Sequence, residues 1–173
     1  MSLKAHYARA MDWLYLACIV VSASALVLIT LAIPYGVFMR YVMNAAASWP
    51  EPLSVLMMVM FTFVGGAAAF RANVHISVEM LTSAVPVAVR KGLLMAANLC
   101  MVATVLFMIV YGIELVRVTM GQTIGEFPSL SVGVTYMPIP LGGFFTLLFI
   151  IEKLWVGEPL ATSMMFRDQA LTE

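Results

Sequence analysis

The sequence predicts an all-α membrane protein of four transmembrane helices, and three observations carry that prediction. Of 173 residues, 63% are hydrophobic and only 10% charged, against roughly 45–50% and about 25% in soluble domains. Mean hydropathy is +1.01, so the chain has too few charges to coat a water-soluble particle of its size. The charges that exist also leave four long gaps. Residues 13–39, 52–70, 92–113 and 127–151 are free of Asp, Glu, Lys and Arg, giving runs of 27, 19, 22 and 25. A helix crosses a ~30 Å hydrocarbon core with about 20 apolar residues. Four gaps meet that length and none is left over.

Each span follows in order. The first, near 13–39, is too long for the 7–15-residue apolar region of a signal peptide. It also shows no clear small-residue cleavage site before Arg40, so it reads as a retained helix. The second covers about 52–70, the third 92–113 and the fourth 130–151. Glycine and proline are scattered through them, as is common in membrane spans. Lysine and arginine set the orientation. Placing the N-terminus, the loop joining helices two and three, and the C-terminus on one side collects Lys4, Arg9, Arg71, Arg90, Lys91, Lys153 and Arg167 there. Arg40 and Arg117 alone fall opposite. Both termini are therefore expected in the cytoplasm, with two short outward loops, neither able to fold as a domain.

The stretch between helices two and three, about 74–86, has Ile76, Met80 and either Leu81 or Ser83 at helical spacing, with His75 and Glu79 four apart on another face. That pattern suits a short amphipathic helix lying in the membrane interface. Pro86 would end it before Arg90 and Lys91 open helix three. Residues 158–173 read as a tail, and the whole chain as a single membrane domain.

The charges exclude several functions. Net charge is zero, which gives no bias toward nucleic acid. An ionisable group in mid-span usually marks an ion or substrate path, and none of the four gaps holds one. This argues against a self-contained exporter of small cations. Glu114 and Arg117, three apart, can pair at the outer end of helix three. A membrane haem anchor needs facing histidine ligands within the spans, but His6 and His75 both lie outside them. Serines such as Ser54 lack a nearby base, and the isolated Cys18 and Cys100 read as inert packing residues. No enzyme chemistry and no bound cofactor are expected, so function must come from surfaces.

Those surfaces can be named. Gly65 and Ala69 form a small-xxx-small pair on helix two, serving either this chain's own packing or a seam with another subunit. Met57, Met58 and Met60 suit an adaptable interface or simply fill a membrane core. Trp49 is placed to anchor at headgroup depth. Glu51 lies near a helix N-terminus, where a negative charge is favoured, with Arg40 as its partner.

Taken together, Arg40, then Trp49-Pro50-Glu51, an apolar helix ending Gly65-Gly66-Ala67-Ala68-Ala69-Phe70-Arg71, and His75-Ile76-Ser77-Val78-Glu79 resemble the DctQ-like small membrane subunit of TRAP transporters. Tyr136-Met137-Pro138-Ile139-Pro140-Leu141-Gly142 is similar to that family's entry into its last helix. The resemblance covers roughly residues 11–154. It implies a tripartite, ATP-independent uptake system in a bacterial or archaeal inner membrane. In such a system a periplasmic binding protein captures a carboxylate-bearing solute. A large multi-span subunit moves that solute with sodium, and the small subunit braces the large one and helps receive the binding protein. By matching positions, Arg40, Trp49 and Glu51 would serve at the periplasmic edge. Arg71, His75 and Glu79 would organise the cytoplasmic interfacial turn, with membrane lipid headgroups as further partners. One departure stands out: the family often has a second acidic residue after Glu51, and this chain has Pro52. The alternative is an anchor or scaffold subunit of another membrane complex.

Overall fold

The computed structural model describes residues 3–45, 47–72, 87–125 and 127–155. The expected interfacial segment 74–86, with His75 and Glu79, and the tail 158–173 lie outside the described residues.

Among the described residues, four helical spans are long and apolar enough to cross a membrane. Helix α1 runs Leu3–Tyr41, α2 Pro50–Arg71 and α3 Val87–Thr119. The last span is split into α4, Val132–Tyr136, and α5, Pro138–Trp155. Most helices overrun their charge-free gaps. Charged residues end an apolar run, but they do not end a helix, and the backbone stays helical until a turn interrupts it. With 39 residues, α1 is about 58 Å long, nearly twice a ~30 Å hydrocarbon core.

The all-α architecture carries one short non-helical element. Between α3 and α4 the strands β1, Thr123–Ile124, and β2, Phe127–Ser131, pair antiparallel. Helix α4 therefore starts at Val132. The Ser131 hydroxyl accepts from the Gly133 amide at 3.1 Å and donates to the Met120 carbonyl at 2.7 Å. One side chain thus caps α4 and ties it to the chain just beyond α3.

Proline and glycine set the remaining junctions. Pro50 occupies the first turn of α2, where its missing N–H costs nothing. In the loop before it Asn44 adopts φ 51°, a left-handed conformation that asparagine tolerates. Pro138 and Pro140 open α5 after the break at Met137.

The helices pack side by side in the order α1, α2, α5, α3, and α1 also touches α5 near its N-terminal part, where Tyr7 and Met11 lie close to Leu148 and Phe149. They form a layer one helix thick instead of a closed bundle. Neighbouring contacts fix the directions. Ser22 lies against Gly65 and Gly36 against Pro50, so α1 and α2 are antiparallel. Phe63 meets Gly142 while Arg71 meets Glu152, so α2 and α5 are parallel. Gly112 meets Pro140 and Gly143 meets Ile109, so α5 and α3 are antiparallel.

The α1 seam has a regular pattern. Met11, Tyr15, Cys18, Ser22, Ala25, Ile29, Ala32, Gly36 and Met39 recur at alternating steps of four and three, and all are buried or half-buried. This 3.5-residue period is the signature of left-handed knobs-into-holes packing. Small members of the seam bring the backbones close, which is how helices associate where lipid is as apolar as leucine. A Cβ at Gly65 would stand 3.1 Å from the Ser22 hydroxyl oxygen. On the other flank of α2, a Cβ at Gly142 would stand 2.5 Å from the Phe63 carbonyl oxygen, so this crossing admits only glycine. At the next seam a Cβ at Gly143 would meet Ile109 at 3.1 Å. Adjacent glycines therefore let α5 approach α2 on one side and α3 on the other.

Candidate functional sites at the two ends of the layer

Polar chemistry gathers at opposite ends of the helices. At the end where α2 and α5 finish, Arg71 is held by two acids. Its Nε and Nη2 donate to the two Glu152 carboxylate oxygens, both at 2.8 Å, and Nη2 donates to Asp12 Oδ1 at 2.6 Å. Tyr15 and Phe149 place their rings 5.2 and 5.5 Å from the guanidinium carbon, within cation–π reach. The Arg71 and Glu152 side chains are 6% and 3% exposed, whereas Asp12 is 62% exposed. Close by, the Tyr7 hydroxyl donates to the Leu148 carbonyl at 3.2 Å.

The cluster joins α1, α2 and α5. Two-point binding of a planar guanidinium to a carboxylate fixes direction as well as distance. With Glu152 buried, the pair acts as a clamp: removing either partner would strand a charge away from water. A residue expected to organise the following turn with His75 and Glu79 is therefore engaged by Asp12 and Glu152. The signal for this was present in the sequence. Asp12, Arg71, Lys91 and Glu152 are the charges that bound the four gaps on one side, and alternating span direction puts them at one level.

The opposite end is looser. Arg40 and Glu51 approach to 4.0 Å, with side chains 60% and 84% exposed. The Tyr35 and Trp49 rings meet at 5.4 Å between centroids, bracing the entry to α2. Glu114 and Arg117 on α3 pair at 3.8 Å in an equally open setting. Pairs this exposed contribute at most about 1 kcal/mol. Between them α1 and α2 leave a half-open cleft of about 410 Å³, with Arg40, Glu51 and Ser54 at its mouth and Ile29, Ile33 and Met58 along its length.

Toward the Arg71 end of α2 the small residues divide. Gly65 faces α1, Ala67 packs with Met11 and Phe149, Ala68 packs with Cys18 and Val64, and Ala69 is exposed. Gly65 and Ala69 thus do not share one seam within this chain. Cys18 is buried and Cys100 exposed, both as free thiols. Among the described residues no three His, Cys, Asp or Glu side chains gather closely enough to hold a metal ion.

Four long apolar helices among the described residues, with ion pairs toward their ends, mark a multi-pass membrane protein. The family comparison makes this specific: residues 29–158 match the DctQ component of the tripartite ATP-independent periplasmic transporters. The chain belongs to the DctQ family, the small membrane component of TRAP transporters, as the motif resemblance implied. That family is a transporter component, not an enzyme family, and works with other subunits in a tripartite assembly. No curated relative matches the chain.

Proposed function

We propose that this chain is the small subunit of a sodium-coupled uptake system for carboxylate-bearing solutes. It braces the large multi-span subunit and helps dock the periplasmic substrate-binding protein, without forming the translocation path. Sodium binds on the large partner. The end bearing Arg71 faces the cytoplasm of a bacterial cell, following the lysine and arginine bias, and the end bearing Arg40, Trp49 and Glu51 faces the periplasm. The observation that carries the reading, beside family membership, is the placement of charge. The ion pairs Arg71–Glu152, Arg40–Glu51 and Arg117–Glu114 all sit at helix ends, where they can position helices but cannot relay an ion across the layer.

Affinity purification of the full chain from its native membrane tests this. The expected result is co-elution with a much larger multi-span protein. Elution alone, or only as copies of itself, would refute the bracing role. The purified chain in liposomes should show no sodium-driven uptake above empty vesicles, and any such uptake would reassign the path to this polypeptide.

A double-mutant cycle of Arg40→Ala and Glu51→Ala addresses the periplasmic edge. Coupling in the isolated chain should be small, because the pair is long and open. If a partner covers it, coupling measured on subunit association should exceed about 0.5 kcal/mol. Strict additivity in the complex would remove the pair from the interface.

A further inference from the structure

The cleft between α1 and α2 has a graded lining. Arg40, Glu51 and Ser54 stand at one end, while Ile29, Ile33 and Met58 carry it toward the middle of the layer. From Arg40 to Ile29 is eleven residues, about 16 Å along a helix axis. That is roughly half of a ~30 Å hydrocarbon core, the depth of one leaflet. A polar solute would find only one end hospitable, and an apolar one would waste the charges. The gradient fits an amphiphile with its head at the helix ends and its tail running beside them.

The head of the cleft carries one positive and one negative side chain whose polar atoms are 4.0 Å apart, both largely exposed. A contact this long leaves each group able to take a second partner of opposite sign. The Ser54 hydroxyl already donates its hydrogen to the Pro50 carbonyl at 2.7 Å, so it offers none to a phosphate, which is left to Arg40. An anionic lipid would satisfy Arg40 and be repelled by Glu51. A headgroup with a phosphate and a primary ammonium satisfies both.

We propose that this cleft binds one zwitterionic phospholipid of the phosphatidylethanolamine type. Its phosphate lies on the Arg40 guanidinium, its ammonium on the Glu51 carboxylate, and one acyl chain along Ile29, Ile33, Val55 and Met58. The inference requires only that the helices span a membrane, and it stands apart from the assignment of a transported solute.

The test uses the full chain, with whatever subunits co-purify, in nanodiscs of mixed phospholipid. A phosphatidylethanolamine with a photoactivatable diazirine in its acyl chain is cross-linked, and labelled peptides are mapped by mass spectrometry. Residues 29–33 and 55–58 should be labelled several-fold above the exposed α3 residues Leu99, Phe107 and Val110. Unlabelled phosphatidylethanolamine should compete, and phosphatidylglycerol and phosphatidylcholine should compete several-fold less well. Val55→Trp, which fills the groove, should abolish cleft labelling while α3 labelling persists, showing that the variant is folded and inserted. Glu51→Lys should shift the preference toward phosphatidylglycerol. Equal labelling of cleft and α3, equal competition by all three lipids, or cleft labelling that survives Val55→Trp would each overturn the proposal.

Discussion

Arg71→Met is expected to destabilise the protein by about 3–5 kcal/mol, the cost of leaving a buried carboxylate without its partner. Glu152 is 3% exposed and receives two of its hydrogen bonds from Arg71. Without the guanidinium the end of the layer must open to water to solvate this carboxylate. The double change Arg71→Met with Glu152→Met should recover most of the loss, since similar-sized apolar groups in place of a buried pair are often neutral or better. Asp12→Asn should cost only about 1 kcal/mol or less, because Asp12 is 62% exposed and water can replace its interaction. Thermal unfolding of the purified protein in detergent ranks the three. A single Arg71→Met as mild as Asp12→Asn would show that the clamp contributes nothing of consequence.

Gly142→Leu should be still more damaging, failing to yield a folded chain. Even the first added carbon would fall 2.5 Å from the Phe63 carbonyl oxygen and 2.8 Å from its carbon. Both atoms belong to the α2 backbone and cannot rotate away, so α2 and α5 must part. Gly142→Ala should already cost more than the roughly 1–3 kcal/mol of ordinary overpacking. Gly66→Ala supplies the control. Nothing lies within 4 Å of its added carbon, so this change should be neutral or gain up to ~1 kcal/mol from reduced backbone freedom. Inserted yield and detergent melting temperature distinguish the two positions. Equal behaviour at 66 and 142 would mean that the α2–α5 crossing is not close.

How far the sequence reaches depends on which interactions leave a chemical mark. The four spans were legible because charge is costly inside lipid, so gaps between charges report directly on the membrane. Helix ends were less legible: α1 continues back to Leu3 and α3 on to Thr119 through charged residues, since a helix tolerates them freely outside the apolar layer. The order of the helices was not legible from composition, because a leucine facing lipid and one facing another helix are chemically alike. Small residues do carry that information. The alternating steps of the α1 seam through Ser22, Ala25, Ala32 and Gly36 are visible in sequence once the period is sought.

At the candidate sites, Arg40 with Glu51 and Glu114 with Arg117 came from proximity along the chain. Arg71 with Glu152, 81 residues apart, needed the directions of the spans as well. Gly142 carries no such mark in the sequence, because no local pattern shows that another backbone lies against it. The hairpin of Thr123–Ile124 and Phe127–Ser131 is too short for an alternating pattern to announce it.

The side-by-side order α1, α2, α5, α3 has a consequence for permeation. A conduit needs walls all round, and a fence of helices has only a front and a back. Water or solute travelling along either surface would be open to hydrocarbon on its far side. A pore lined in part by the described helices must therefore be completed by other polypeptide standing opposite.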